Sequence, residues 1–125
     1  MNLNQVTLPT INIVKAVAFY KAMGFQQIVA ANHYARFVCP EGKSTFSLHR
    51  YDKLLTKHNV VVYFECKDLE RQVALLKNRG IEMQQEPKDE AWLWREARLL
   101  DPDGNELCLY EAGKNRLNPP WRLND

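Results

Sequence analysis

The sequence predicts an α+β fold in which two βαβββ modules form a single domain, and three observations lead to that prediction. The first is a gapless repeat, in which residues 8–25 align with residues 64–81. The second is a pair of Pro-acid-Gly turns, at 40–42 and 102–104, each flanked by residues that alternate with period two. The third is the length, because 125 residues suit one domain with a real core.

Each aligned segment predicts one amphipathic helix of about three turns. Apolar side chains recur at i, i+4 and i+7, which is the spacing of one buried stripe on a helix. The matched positions are Ile13 with Leu69, Val17 with Val73, Tyr20 with Leu76, and Gly24 with Gly80. Each glycine comes where a left-handed residue would end the helix. Asp68 is predicted to cap the second helix, which has Glu70 in its first turn. Asn12 or Thr10 is predicted to cap the first helix.

Each module is predicted to run strand, helix, strand, strand, strand. The first module has strands near residues 3–8, 26–31, 33–39 and 44–50, and the second near 59–66, 82–85, 92–100 and 105–110. The predicted bounds are 1–52 for module one, 59–112 for module two and 113–125 for a polar tail, which Trp121 is expected to pin to the body. The polar segment 52–58 joins the modules. Because one helix covers only one face of a sheet, the other face is free for solvent, a partner or a ligand.

Composition argues against several classes of protein. Seventeen basic and fifteen acidic residues give a net charge of +2, which is too small and too mixed for a nucleic-acid-binding surface. The three cysteines lack CxxC spacing, so neither a disulfide framework nor a zinc knuckle is expected. The sequence has neither a secretion signal nor an apolar run that could span a membrane. We therefore expect a soluble cytoplasmic protein with no nucleic-acid or membrane partner.

Period-two alternation predicts which side chains lie on the free sheet faces. In the first module these are Gln5, Thr7, Ser47 and His49. In the second module they are Val61, Tyr63, Glu65, Trp94, Glu96, Arg98, Glu106, Cys108 and Tyr110. The side chains predicted to lie beneath, against the helix, include Leu93, Ala97, Leu99, Leu107 and Leu109.

The role of several of these residues has two interpretations. Glu96 and Arg98 could orient a polar substrate, or they could be a solvated ion pair at a rim or dimer contact. Glu96, Glu65 and His49 are the candidates for acid–base catalysis, although His49 could also be an ordinary residue near a strand end. The remaining histidines, His33 and His58, are expected at the surface.

The other candidates are also ambiguous. Cys108 could be a nucleophile beside a cation, or a small buried apolar residue. The rings of Tyr63, Trp94 and Tyr110 could form a wall for a planar ligand, or bury surface without one. Trp92 is expected at the rim or in a dimer contact. Arg36 and Arg95 are expected to face solvent or pair with the tail.

The duplicated unit, the helix segment AFYKAMGF and the hairpin DPDGNELCLYE together resemble the vicinal oxygen chelate superfamily. That superfamily contains glyoxalase I, bleomycin-resistance proteins and extradiol dioxygenases. The resemblance covers about residues 3–111. It implies curved sheets that form a half-open cup, with the helices outside and the ligand inside. It also implies a homodimer, since relatives commonly pair their modules.

Metal-dependent members of that superfamily hold an ion with four ligands inside the cup. The resemblance carries those positions onto Gln5, Ser47, Val61 and Cys108. Valine has no donor atom and serine is a poor ligand, whereas zinc and hard divalent ions need several oxygen, nitrogen or thiolate donors. No cofactor is therefore expected, and a divalent metal held at other positions is the alternative.

The leading functional prediction is metal-free binding of a small molecule on the concave sheet. The alternative is an enzyme of the superfamily, of the lyase, isomerase, hydrolase or dioxygenase type, with acid–base residues or a relocated metal site. A third possibility is an interaction module that has no ligand. The sequence does not choose a substrate or a reaction.

Overall fold

The computed structural model describes residues 1–53 and 57–123. Its elements, in chain order, are β1 (Gln5–Thr10), α1 (Ile13–Ala22), β2 (Gln26–Ala30), β3 (Tyr34–Val38), β4 (Thr45–Arg50), β5 (Val61–Glu65), α2 (Leu69–Asn78), β6 (Gln85–Asp89), β7 (Arg95–Leu100) and β8 (Glu106–Glu111). A short 3-10 helix follows at Gly113–Arg116. The two βαβββ modules of the predicted α+β fold are confirmed. The predicted joining segment lies partly outside the described residues, at 54–56.

The strands form two four-stranded sheets with the same topology. Their orders are β1-β4-β3-β2 and β5-β8-β7-β6. In each, the first strand of the module pairs in parallel with the last, and the other pairs are antiparallel. The chain divides into two compact units, Met1–Val60 with Asp101–Asn105, and Val61–Leu100 with Glu106–Asp125. The turn between β7 and β8 therefore belongs to the first unit.

Both helices begin and end where the sequence predicts. The side chains of Asn12 and Asp68 accept hydrogen bonds from the third residue of their helices, each at 3.1 Å. Past the helix ends, Gly24 and Gly80 have φ values of 104° and 83°, a conformation that L side chains adopt only with strain. Both predicted caps and both helix stops are confirmed.

The core of the first unit is aromatic. Tyr20 reaches from α1 to Phe46, with ring centroids 4.9 Å apart, and Phe46 stacks on Phe37 at 5.1 Å. All three side chains are almost completely buried. Burial and the nearby Asp101 carboxylate raise the pKa of Tyr20 far above its ordinary value, so its hydroxyl stays protonated and donates.

Asp101 receives that hydrogen bond and organises the turn around itself. The Tyr20 hydroxyl lies 2.7 Å from Asp101 Oδ2, and Asn105 Nδ2 donates to the same oxygen at 2.8 Å. The backbone N–H groups of Asp103 and Asn105 both donate to Oδ1 at 2.9 Å. Asn105 also donates to the carbonyl of Pro9 at 3.0 Å, which attaches the turn to β1.

The core of the second unit lies between α2 and one face of its sheet. Leu69, Val73 and Leu76 project from α2, which contacts β6, β7 and β8. The facing strand residues, all buried, are Ala97, Leu99, Leu107 and Leu109. These four were predicted to lie beneath the sheet, and that prediction is confirmed.

Three local predictions are wrong. Residues 82–84 precede the sixth strand, which begins at Gln85; its pairing is irregular between Gln85 and Lys88, where Pro87 lies on this edge strand. Leu93 lies in the turn before β7 with φ 68° and is 47% exposed, so it is not beneath the sheet. Trp121 is 57% exposed and does not pin the tail.

Within the described residues, no helix has both the length and the apolar character needed to cross a bilayer.

Candidate functional site

The free face of the second sheet carries the residues that alternation assigns to it. Across the sheet, Tyr63 pairs with Cys108 and Cys108 with Arg98. In the next row Glu65 pairs with Tyr110, and Tyr110 with Glu96. Residues paired in this way share one face, so these side chains lie side by side. Val61 and Glu106 form the row on the other side of Cys108.

Three aromatic rings form a cluster at one end of this face. Trp94 stacks on Tyr110, with centroids 4.5 Å apart and planes 14° from parallel. The ring of Tyr63 meets both edge-on, at 6.1 Å from Trp94 and 5.8 Å from Tyr110. Such offset and edge contacts are the favoured arrangements of aromatic pairs. Tyr63 is 45% exposed, so part of the cluster faces outward.

The cluster rests on the sheet and is held from the C-terminal side. Trp94 and Val61 pack against Cys108, Tyr110 and Ala112, which form a buried group of their own. The Trp94 indole N–H donates to the carbonyl of Asn115 at 3.3 Å. Burial, and then the charge of Glu65, raise the pKa of Tyr110. The rings are therefore fixed in place before any ligand arrives.

A charged network lies next to the rings. Glu96 is 1% exposed and accepts hydrogen bonds from Trp92 Nε1 at 2.7 Å and from Arg98 Nη2 at 2.9 Å. Arg98 also donates to Glu106 at 3.0 Å and to the Tyr63 hydroxyl at 3.3 Å. Partial burial disfavours the Arg98 charge, but the Glu96 hydrogen bond and neighbouring negative groups outweigh it and raise the pKa. We call Trp92, Glu96, Arg98 and Glu106 the Glu96 network.

The other two acid–base candidates lie outside this network. Glu65 has a side chain 51% exposed and approaches Arg116 at 3.8 Å, and the β8 strand separates it from Glu96. His49 belongs to the first unit, where its ring lies 4.7 Å from Tyr51 and 6.1 Å from His33. Its Nδ1 atom is buried and has no hydrogen-bond partner among the described residues.

Cys108 is buried between the aromatic cluster and the Glu96 network. Burial raises the pKa of its thiol to about 12, the Arg98 charge opposes that rise, and Glu96 adds to it. A thiol at neutral pH is a poor nucleophile, since the thiolate is the reactive form. The chemistry of this position therefore favours a role for Cys108 as a small buried apolar residue over a role as a nucleophile.

Cys108 is therefore expected to resist alkylation in the native protein. At about pH 8, iodoacetamide should modify Cys66, which is partly exposed, much faster than fully buried Cys108. Peptide mass spectrometry after timed labelling measures both rates. Equal rates in the native protein would contradict the expected burial, and equal rates in urea serve as the control.

The free face of the first sheet carries Gln5, Thr7, Ser47 and His49, as alternation predicts. It also carries Tyr34 and Arg36, because Tyr34 pairs with His49 and Arg36 with Ser47. Sequence reasoning assigned Arg36 to solvent or the tail and left Tyr34 out. Alternation along β3 could have found both, since Ala35 and Phe37 between them are completely buried.

The donor atoms at the four inherited ligand positions do not fit a metal ion. In the first unit, Gln5 Nε2 donates to Ser47 Oγ at 2.7 Å, and Gln5 Oε1 accepts from Thr45. In the second unit, Val61 has no donor atom, which leaves the single thiol of Cys108, too few donors for zinc. Elsewhere in residues 1–53 and 57–123, no group of three or more His, Cys, Asp or Glu side chains is arranged to hold an ion.

Solved structures with the same fold include a bleomycin resistance determinant and a bleomycin-binding protein. A bleomycin resistance determinant encoded on the transposon Tn5 has a TM-score of 0.78 and 20% identity, covering 90% of this chain and 99% of that one. A bleomycin-binding protein in complex with bleomycin has a TM-score of 0.74 and 20% identity, covering 89% and 98%. A glyoxalase/bleomycin resistance protein/dioxygenase family enzyme from Burkholderia phytofirmans PsJN has a TM-score of 0.75 and 20% identity, and the match covers 90% of this chain and 99% of that one.

These identities are low, and the likeness to the three structures shows the fold alone. No curated protein matches the chain in sequence. The sequence model of one family does match, over residues 2–109, which is most of the chain and nearly the range of the resemblance noted above. The chain belongs to the Glyoxalase/Bleomycin resistance protein/Dioxygenase superfamily.

Proposed function

We propose that the protein binds a small organic molecule with a planar aromatic part on the free face of the second sheet, without a metal ion. The observation that carries the proposal is the cluster of Tyr63, Trp94 and Tyr110 on the face away from the helix. Rings that are fixed and partly exposed offer a planar ligand stacking surface with little loss of side-chain entropy. The bleomycin complex formed by a protein of the same fold supports binding of a small molecule.

The polar groups beside the rings provide the specificity. Arg98 has its N–H groups directed at Glu96, Glu106 and Tyr63, so the guanidinium is held in one orientation. Arg98 lies over the Tyr63 ring and donates to Glu106, whose side chain is 43% exposed, so this carboxylate is an acceptor near the rings. We therefore expect the ligand to combine a flat ring with hydrogen-bond donors near one edge.

Replacing Trp94 with alanine is expected to weaken binding of a planar ligand by about tenfold or more, because one stacking surface disappears and Tyr110 loses its parallel partner. The probes are bleomycin and the planar dye proflavine, each titrated by calorimetry. Trp121→Ala is the matched control, since that tryptophan is exposed and outside the cluster. Equal loss in both variants, or no binding of either probe by the wild type, would count against the proposal.

The metal-free part of the proposal has a separate test. Protein purified without a polyhistidine tag is expected to contain less than stoichiometric divalent metal by elemental analysis. The donor chemistry at Gln5, Ser47, Val61 and Cys108 supports this expectation. A stoichiometric metal that survives dialysis would overturn it.

The second candidate is an enzyme in which Glu96 moves a proton. The observation that favours it is the burial of this carboxylate next to the aromatic cluster, an environment typical of acid–base residues. Turnover of a bound compound that disappears in Glu96→Gln, while ligand binding persists, would select the enzyme. Homodimerisation and a cytoplasmic location remain predictions, and light scattering tests the first.

A further inference from the structure

Tyr34, Arg36 and Ser47 form a hydrogen-bonded group on the free face of the first sheet. The hydroxyl oxygens of Tyr34 and Ser47 are 2.5 Å apart, and Arg36 Nε donates to the Tyr34 oxygen at 2.9 Å. The Arg36 guanidinium also lies over the Tyr34 ring, 5.4 Å from its centroid. Ser47 is completely buried, whereas Arg36 is exposed. The group therefore has a fixed base and an outward edge.

The hydrogen bonds within this group leave the Tyr34 hydroxyl hydrogen facing outward. Gln5 Nε2 donates to Ser47 Oγ at 2.7 Å, so one acceptor site of Ser47 is filled. Because Ser47 is buried, its own hydrogen needs a partner in the protein, and the Tyr34 oxygen is the acceptor it contacts. The Tyr34 oxygen then accepts from both Ser47 and Arg36. Its own hydrogen is left to donate to something outside the group.

Arg36 also keeps unused donors. Its Nε serves Tyr34, while the Nη1 and Nη2 groups form no ion pair or hydrogen bond within the described part of the chain. Arg95 in the second unit shows the contrast, because it donates to Glu70 and to Asp89. A guanidinium held by a ring and a phenol, with its outer edge free, is oriented for a bidentate acceptor.

We propose that Tyr34 and Arg36 form a binding site for an oxyanion, a carboxylate or a phosphate, on the free face of the first sheet. The Nη groups of Arg36 bind the charge, and the Tyr34 hydroxyl donates a third hydrogen bond. Ser47 and Gln5 hold the phenol in position from below. This site lies on a different unit from the aromatic cluster, so it adds to the proposed function and does not depend on it.

The electrostatics of Tyr34 agree with a donor role. The hydrogen bond from Ser47, and then the hydrogen bond and charge of Arg36, hold the pKa of Tyr34 below its ordinary value. A more acidic hydroxyl is a stronger hydrogen-bond donor to an anion.

The test is a titration of the full-length protein followed by NMR, with sodium phosphate and sodium acetate in separate arms at constant ionic strength. We expect saturable shifts of the Arg36 Nε–H and Tyr34 Cζ signals in at least one arm. Arg36→Gln should raise the dissociation constant by about tenfold, and Tyr34→Phe by about fivefold, as expected for one charged and one neutral hydrogen-bond donor. Arg95→Gln is the matched control and should leave the constant unchanged.

Each outcome decides the proposal. Saturation with phosphate alone assigns the site to a phosphorylated ligand, saturation with acetate alone to a carboxylate, and both outcomes support the site. Linear shifts in both arms, or an unchanged constant in a folded Arg36→Gln protein, overturn it. Arg36→Lys gives a second check, because it keeps the charge but loses the planar fork and should bind less tightly than wild type. Trp94→Ala should not affect oxyanion binding, so the two proposals are distinguished.

Discussion

Asp101→Ala is expected to lower the free energy of unfolding by about 3–5 kcal/mol, because several buried donors would lose the same acceptor and each unsatisfied donor costs about 1–3 kcal/mol. Four donors lose their acceptor at once, from Tyr20, Asp103 and Asn105. The Tyr20 hydroxyl is then left unsatisfied inside an aromatic core. Urea denaturation followed by circular dichroism measures the change.

Two variants separate the carboxylate from the turn that contains it. Tyr20→Phe removes a single hydrogen bond and is expected to destabilise the protein by about 1–2 kcal/mol. In a double-mutant cycle, Asp101→Ala and Tyr20→Phe should show clear coupling, because they share that bond. Asp103→Ala is the control within the turn, since in the described part of the chain Asp103 Oδ1 accepts from the backbone N–H of Ile11 and Oδ2 has no hydrogen-bond partner. A loss below about 1 kcal/mol in Asp101→Ala would contradict the central role of this carboxylate.

The role of Asp101 also shows where sequence reasoning ends. The segment DPDG predicts a turn from local chemistry, and Gly104 does adopt a φ of 84°. Nothing in the local pattern reveals that Tyr20, 81 residues earlier, donates to Asp101. Alignment of the two helices pairs Tyr20 with Leu76, which indicates an apolar position and hides the function of the hydroxyl. Tertiary partners of this kind are invisible to a pattern of period two or 3.6.

Alternation predicted the free face of the second sheet well because apolar residues on that sheet keep one parity. Leu107 and Leu109 are buried on the core side, and Cys108 and Tyr110 lie on the other. The method failed where the backbone departs from regular pairing. The pairing of β6 is irregular between Gln85 and Lys88, and Leu93 lies in the turn before β7 with a positive φ.

The same alternation holds along β3. Tyr34 and Arg36 alternate with the buried Ala35 and Phe37 as clearly as Glu96 and Arg98 alternate with their neighbours. The hydrogen bonds that join Ser47 to Tyr34 and Tyr34 to Arg36 became visible only with the side chains in place.

Glu96→Ala is expected to lower the free energy of unfolding by about 2–4 kcal/mol, because it removes the central acceptor of a mostly buried network. Trp92 Nε1 would lose its partner at 2.7 Å, and Arg98 would keep only Glu106 among the carboxylates it contacts. Glu106→Ala is the matched control. Its side chain is 43% exposed, so loss of its ion pair should change the stability by less than about 1 kcal/mol.

A second measurement distinguishes the electrostatic effect of Glu96 from simple loss of packing. Glu96 helps to raise the pKa of Cys108, while Arg98 opposes that rise. Removal of the carboxylate should therefore lower the pKa of the thiol and speed its alkylation at a given pH. The rate is measured without denaturant, where the variant remains folded. Glu96→Gln should show the same direction of change with a smaller loss of stability, because the amide still accepts from Trp92. Equal changes in the free energy of unfolding and in the alkylation rate of Cys108 for Glu96→Ala and Glu106→Ala would contradict this prediction. Burial of Glu96 would then not explain its effect on either quantity.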